Sequence, residues 1–228
     1  MTELPPQGEL FHLPTVEPGP PLPQPEPAKT QGKKKATDPR ESERNFVSAG
    51  AIIALYRPEL GDAVEFLLRC SASAELHHPY VYPPSTYAAF AAYLQRLADG
   101  RHLGFLLRRL EDRSLVGVIN LNELVRGGFH SAYLGFYGFV PFNGKGYMTE
   151  GLRLVLRYCF RTLRLHRLEA NVQPGNLPSL ALVRRCAFRH EGFSPHYLKI
   201  NGRWRDHERF ALTREDWAGK LDREFGNA

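Results

Sequence analysis

The sequence predicts an α+β protein, a three-layer α/β arrangement with a mixed central sheet of about seven strands and flanking helices. Three observations predict it. Three strand-like runs follow one another between residues 102 and 140, separated by short charged or glycine turns. A glycine-punctuated turn at Gly144–Gly146 opens an amphipathic helix. After it, strand and helix alternate and the pattern ends in a hairpin, giving the string β-α-α-β-β-β-α-β-α-β-β.

The elements follow in order. AIIALYRP (51–58) is a strand stopped by Pro58, and GDAVEFLLRCSA (61–72) a helix capped by Asp62. STYAAFAAYLQRLADG (85–100) is a second helix, with Ser85 as cap and Gly100 as stop. HLGFLLRRL, SLVGVINLNEL and SAYLGFYGFV are the three consecutive strands. A helix then runs through Leu163, with Met148, Leu152, Val155, Cys159 and Leu163 as its core face. Arg153, Arg157, Arg161 and Arg164 recur on nearly the opposite face as a solvated basic stripe. RLEANVQ is a strand, NLPSLALVRRC a helix, and HYLKI-NGR-WRDHERFAL a hairpin on an Asn201-Gly202 turn.

Residues 1–45 stand apart. They hold ten of the 18 prolines and almost no aliphatic side chains after Val16. Such a segment cannot bury enough apolar surface to offset its ordering entropy, so a disordered Pro-rich tail is expected, with the domain at 46–220. Lys33, Lys34 and Lys35 suit either a solvated linker or an RNA contact. The tail carries six Lys/Arg against seven Asp/Glu, and the remainder 24 against 17. The folded part therefore favours an anionic partner: a phosphorylated cofactor, RNA or an acidic peptide. No run reaches the ~18 apolar residues of a membrane span. The first ten residues lack the basic and apolar stretches of a signal peptide, so a cytoplasmic protein is expected. Cys70, Cys159 and Cys186 are odd in number and lack metal spacing. Buried free thiols are expected of them, with no metal.

The chemistry concentrates at FNGKGYMTEG (142–151). Unpaired N–H groups at a helix start, a partial positive dipole and Lys145 together suit a phosphate or pyrophosphate. The loop is neither a nucleotide-triphosphatase loop, since no Gly-Lys-Ser/Thr occurs, nor the six-residue dinucleotide fingerprint.

FNGKGYMTEGL, the helix and strand after it, and PGNLPSLALVRRCAFRHEGF together resemble the core of the GNAT acetyltransferases. That family binds the acetyl-CoA pyrophosphate on a loop of pattern Gln/Arg-x-x-Gly-x-Gly/Ala. Here the positions read Asn143, Gly144, Lys145, Gly146, Tyr147 and Met148: Gly146 is retained, while Asn143 and Met148 depart. LVRGGFHSAYLGF, GKGYMTEGL, LHRLEAN and INGRWRDHERFAL resemble the ribosomal-protein-alanine N-acetyltransferases of the RimJ/RimL branch, RimJ most closely, over about residues 50 to 217.

The resemblance implies an acetyl-CoA-dependent transferase acting on a protein N-terminus, with a transient ribosome contact and with no DNA or membrane partner. It implies cofactor contacts from Asn143, Gly144, Lys145, Gly146 and Tyr147, and from Asn176 and Ser179 along the pantetheine arm. A backbone N–H around Phe139 and Val140 is the implied oxyanion donor. Some N-terminal acetyltransferases place a base glutamate and an acid tyrosine where this chain has Asn171 and Val183, which cannot do that work. Glu169, two residues earlier on the same strand face, can act as base through a water, or simply be salt-bridged. Ser179 occupies the position of a serine proposed as general acid in the RimL type, or only caps its helix. Tyr197 is the other candidate acid or acceptor-site residue, or part of the core. Asn176 is a pantetheine contact, a helix cap, or both. His77, His78, Tyr80 and Tyr82 are expected at the acceptor mouth. His130 and His166 are read as structural, Glu150 as a complement to the helix dipole. Asp206 and His207 orient each other or read the peptide amine. The rival functions are an acetyltransferase of a small amine or antibiotic, and a non-catalytic ribosome- or RNA-binding assembly factor.

Overall fold

A computed structural model describes residues 45–220; the expected Pro-rich tail, with Lys33–Lys35, therefore lies outside the described residues apart from its last residue. Eight strands form one sheet: β1 (Phe46–Ala49), β2 (Ile53–Tyr56), β3 (Leu103–Arg109), β4 (Leu115–Val125), β5 (Ser131–Gly138), β6 (Arg167–Val172), β7 (Arg189–Ile200) and β8 (Arg203–Thr213). Their order is β1-β2-β3-β4-β5-β6-β8-β7. All neighbours are antiparallel except β5 and β6. The helices are α1 (Ala63–Ala72), α2 (Ala74–His77, a single turn), α3 (Tyr87–Leu97), α4 (Tyr147–Arg157), α5 (Leu177–Arg185) and α6 (Arg214–Lys220).

The mixed α+β architecture is as expected, with one more strand. The addition is β1, a short edge strand whose Phe46 ring meets Tyr56 of β2 edge-on, centroids 5.7 Å apart. One face of the sheet packs on α4, where Leu152, Val155 and Leu156 are fully buried against Leu55, Phe105 and Ile119. The other face packs on α1 and α3, where Phe66, Phe90 and Tyr93 meet Leu106, Val118 and Phe139. Period-two alternation in the strands and period-3.6 alternation in the helices supply these faces.

Several local expectations shift. The cap of α3 is Thr86, not Ser85: the Thr86 hydroxyl accepts from the Ala89 N–H at 3.1 Å. Asp62 makes no side-chain cap to α1. Its carboxylate instead accepts from the Glu59 N–H and from Arg108, both at 2.8 Å. The long helix ends at Arg157 and passes into a π-helical turn over Tyr158–Thr162, closed by Leu163 N–H donating to the Tyr158 carbonyl at 3.0 Å. Arg161 lies over the Trp217 ring, 5.7 Å from its centroid, so the basic stripe is partly packed. Asn201 (φ 45°) and Gly202 (φ 75°) make the tight β7–β8 turn, both in the left-handed conformation such turns require.

The feature that positions the site is a break in pairing. β5 and β6 are joined only from Ser131↔Arg167 to Leu134↔Ala170. Beyond that pair β5 continues to Gly138 on β4, and β6 continues to Val172 on β8. The two strands part, and the sheet opens between them. Among the described residues no helix is long and apolar enough to cross a membrane.

Candidate active site

A cavity of about 530 Å³ opens where β5 and β6 part. Its walls come from the loop after β5, the first turn of α4, the start of α5 and the segment around α2. Of the residues expected to hold a cofactor, Asn143, Gly144, Gly146, Tyr147, Asn176 and Ser179 line it. Gly144 (φ 75°) and Gly146 (φ 84°) both take the left-handed conformation that favours glycine, and no atom lies within 4 Å of where a side chain would start on either. The first helical bonds run from the Thr149 and Glu150 N–H groups to the Gly146 carbonyl, at 3.0 and 3.1 Å. The N–H groups of Gly146, Tyr147 and Met148 therefore precede the ladder and have no intrahelical acceptor. A bare backbone cradle at a positive helix end suits a pyrophosphate. Lys145 is exposed and does not line the cavity. The cation that does is Arg185 of α5, whose guanidinium donates to the Thr149 hydroxyl at 3.1 Å across the first turn of α4.

Asn176 caps α5, its side-chain oxygen accepting from the Ser179 N–H at 3.2 Å. That bond uses the amide oxygen and leaves the NH₂ for an amide carbonyl in the cavity.

The two N–H groups expected as oxyanion donors both have acceptors within the chain. The Phe139 N–H donates to the Val116 carbonyl at 2.9 Å, and the Val140 N–H to the Ser73 hydroxyl at 3.0 Å. Both are spent. The Phe139–Val116 bond also makes Gly117↔Gly138 a non-hydrogen-bonded pair of the antiparallel ladder. In such a pair the backbone groups point away from the partner strand, so Gly138 directs its N–H and C=O towards the opening. Ile119↔Phe136, two residues back, shares the phase. His77 confirms the direction: its Nε2–H donates to the Gly138 carbonyl at 2.8 Å. His77 is buried, packed edge-on against Tyr137 and Phe139, and burial lowers its pKa, which favours the neutral donor.

Glu169 and Tyr197 do not line this cavity. They lie on the sheet face that carries α1 and α3, close to Tyr133. The two Glu169 oxygens accept from Arg167 and Arg209, each at 2.9 Å, so both are engaged in ion pairs. The Arg209 guanidinium sits 4.9 Å over the Tyr197 ring, and the Tyr197 hydroxyl accepts from the Asn171 NH₂ at 3.3 Å. The other Asn171 side-chain atom, its oxygen, is buried without a hydrogen-bond partner among the described residues. Asn171 follows Ala170, the last residue of β6 paired to β5, and so flanks the opening.

The acceptor-mouth residues fall partly as expected. His77, His78 and Tyr80 line the cavity, and the Tyr80 hydroxyl donates to the Gly175 carbonyl at 2.8 Å, tying the segment after α2 to the loop after β6. Asp206 and His207 have separate partners, the His196 N–H (2.8 Å) and the Arg205 carbonyl (3.0 Å). His166 pairs with Glu215 at 3.2 Å, and Glu150 accepts from the Ile52 and Ile53 N–H groups at 2.8 and 3.1 Å, tying α4 to the β1–β2 turn. The three cysteines are free and buried; burial pushes Cys70 up to about 12, Cys186 up to about 11 and Cys159 up as well, so none offers a thiolate near neutral pH.

Comparison with known proteins agrees with this geometry. The family model for the acetyltransferase (GNAT) domain matches residues 53–189. The chain is 38% identical over 138 residues to the ribosomal protein uS5-alanine N-acetyltransferase of Escherichia coli (strain K12), covering 60% of this chain and 71% of that protein. Among solved structures it is similar to Mycobacterium smegmatis RimJ in complex with CoA-disulfide, with a TM-score of 0.68 and 25% identity over 78% of this chain and 95% of that one. It shares a fold with spermidine N-acetyltransferase from Vibrio cholerae in complex with CoA and spermine, at a TM-score of 0.63 and 20% identity over 73% of this chain and 98% of that one.

Proposed function

The chain belongs to the GNAT acetyltransferase family, and from that premise we propose that it transfers acetyl from acetyl-CoA to the N-terminal α-amine of a protein, with alanine as the residue acetylated and a ribosomal protein as the substrate. Family membership makes it an N-acetyltransferase. The acceptor is the part this reading adds.

One observation carries the reading: the opening between β5 and β6 places the unpaired backbone edge of Phe136 and Gly138 beside a glycine cradle in one cavity. Acetyl-CoA, when bound, supplies an activated thioester. The chain does the rest. Gly144, Gly146 and the first N–H groups of α4 hold pyrophosphate, with Arg185 as counter-charge. The Asn176 NH₂ meets a pantetheine carbonyl. The Phe136 or Gly138 N–H faces the thioester oxygen, and one such donor is typically worth ~2.7–4 kcal/mol in the transition state. The Ser179 hydroxyl gives a proton to the departing thiolate as the C–S bond breaks and regains one, through solvent, from the nitrogen that has become an amide, so that neutral amine and thioester give amide and free thiol. Tyr80, held on Gly175, closes water out of the mouth.

On the acceptor side, the buried and unpartnered Asn171 oxygen offers an acceptor to the amine's N–H. The Glu169 ion pairs and Tyr197 fix the Asn171 surroundings rather than removing a proton. An α-amine needs little help, since its pKa of ~7.7–8.0 leaves a fair fraction neutral near pH 7.5, against ~10.4 for lysine. That accounts for a site with an asparagine where other N-terminal acetyltransferases carry a base. A polyamine acceptor would need carboxylates for several ammonium groups. Glu75 is the single carboxylate lining the cavity among the described residues, and Glu169 is already paired with Arg167 and Arg209.

The test is to supply acetyl-CoA with a peptide bearing a free N-terminal alanine, with the same peptide N-blocked, and with spermidine. Acetylation of the free peptide, with the blocked one inert, supports the reading. Turnover of spermidine alone refutes it.

A further inference from the structure

A second cavity, of about 500 Å³, lies on the α1/α3 face of the sheet, between α3 and the β4–β5 pair. It shares Val81 and Tyr137 with the cofactor cavity, so the two meet at the opening of the sheet. Its floor is Asn120 of β4, paired with Gly135 of β5, which adds no side chain there. Gly135 directly follows Leu134, the last residue of β5 paired to β6. An acceptor whose amine reaches the thioester therefore lays its next residues over Gly135 and towards Asn120.

Beside the hydroxyls of Ser85 and the lining tyrosines, which can donate or accept, this cavity holds two groups that offer only donors. Asn120 is 8% exposed, and its amide oxygen is taken by the Tyr93 hydroxyl at 2.7 Å. Its NH₂ is thereby turned to the cavity as a double donor without a partner among the described residues. Arg96, one turn beyond Tyr93 on α3, adds a guanidinium and makes no ion pair among the described residues; its contact is with the Tyr93 ring, 6.0 Å from the centroid. Among the described residues no carboxylate lines the cavity. Two donor groups, one buried and one cationic, with apolar walls from Val81, Tyr82 and Tyr137, fit a side-chain carboxylate, which accepts charge-assisted bonds from both.

The geometry points to a specificity pocket for an acidic residue at the second or third position of the acceptor peptide, read by Asn120 and Arg96. The register sets the position. An amine in the opening between β5 and β6 lies about one and a half strand spacings, roughly 7 Å, from β4, and an extended chain advances ~3.3 Å per residue, so two steps bring the third residue over Asn120 and the second within reach of it by its side chain. This inference rests on the protein α-amine reading and deepens it by naming the acceptor sequence.

The experiment measures kcat/KM for peptides with a free N-terminal alanine and Glu, Gln or Lys at the second and third positions, on the full chain and on Arg96→Glu and Asn120→Leu. The wild type is expected to favour Glu over Lys by at least tenfold, mostly through KM. Arg96→Glu, an exposed substitution that leaves the cofactor cavity untouched, is expected to reverse the order while CoA binding stays unchanged. Asn120→Leu is expected to erase the preference for Glu over Gln. Equal turnover of the Glu, Gln and Lys peptides by the wild type, or a preference that survives Arg96→Glu, overturns the pocket and leaves the α-amine reading standing. Failure of every peptide with turnover of spermidine overturns that reading and the pocket with it.

Discussion

Replacing Gly146 by aspartate and, separately, by asparagine isolates the charge that the cradle is argued to hold. Gly146 sits at φ 84° with nothing within 4 Å of a new side-chain origin, so neither substitution meets a clash. The backbone cost is that of a left-handed residue, about 1–2 kcal/mol in general and less for Asn and Asp, which tolerate this region. It is nearly the same for both and falls on stability. The two side chains differ in charge alone. A carboxylate about 5 Å from a phosphate at an effective dielectric near 20 is repelled by about 3 kcal/mol. That corresponds to CoA binding roughly 10²-fold weaker for Gly146→Asp than for Gly146→Asn. Calorimetry on both variants, with matched thermal melts, reads this difference, and raising the salt should shrink it. Equal CoA affinity for the two folded variants would refute the placement of pyrophosphate on this loop.

Three further outcomes follow from the same geometry. Asn176→Ala removes both a cap and a pantetheine contact, costing about 1 kcal/mol of stability and weakening CoA binding, whereas Asn176→Ser should restore the melting temperature without restoring the affinity; recovery of both by serine would make Asn176 a cap only. His77 and His207 are both held below the ordinary 6.5 by burial, so each binds its proton more readily in the unfolded chain. Their stabilisation is complete above about 6.5 and is lost as pH falls through the window between the unfolded and the lower folded values; thermal melts between pH 7.5 and 5.5 should show this slope and His77→Gln should flatten it, so an unchanged slope would exclude His77 as a source. Deleting residues 1–45 should leave turnover of short peptides within a few-fold, as their composition implies, and a larger loss in the folded truncation would give the tail a part in the site.

The fold was legible where period and punctuation agree. β6 alternates cleanly, β3 and β4 read as near-continuous apolar runs because both sheet faces are covered, and the glycines of the cradle were conspicuous because two left-handed residues flanking one lysine leave few alternatives to glycine. Asn176 was legible for a similar reason, since a cap acts on a residue three positions away. β1 was missed because four half-exposed residues next to a proline-rich segment carry too little alternation to register. The donors and partners of the site were out of reach for another reason: they join residues distant in the chain. His77 meets Gly138 across 61 positions, Tyr80 meets Gly175 across 95, and Arg209 meets Glu169 across 40. No local pattern announces such pairs, and so the sequence left Glu169 open between a base acting through a water and a salt-bridged carboxylate, the second of which matches its contacts with Arg167 and Arg209. Which N–H groups face the opening depends on strand phase, where a slip of one residue turns every N–H to the other edge.

The most direct measurement of the central claim uses one peptide with a free N-terminal alanine and an internal lysine, incubated with acetyl-CoA and the full chain, the acetyl group then located by fragment mass spectrometry. A single acetyl on the alanine nitrogen is expected, forming at a rate that rises towards pH 8 and then levels as the α-amine loses its proton. Acetyl on the lysine with the α-amine left free, or a rate still climbing well above pH 9, would contradict it.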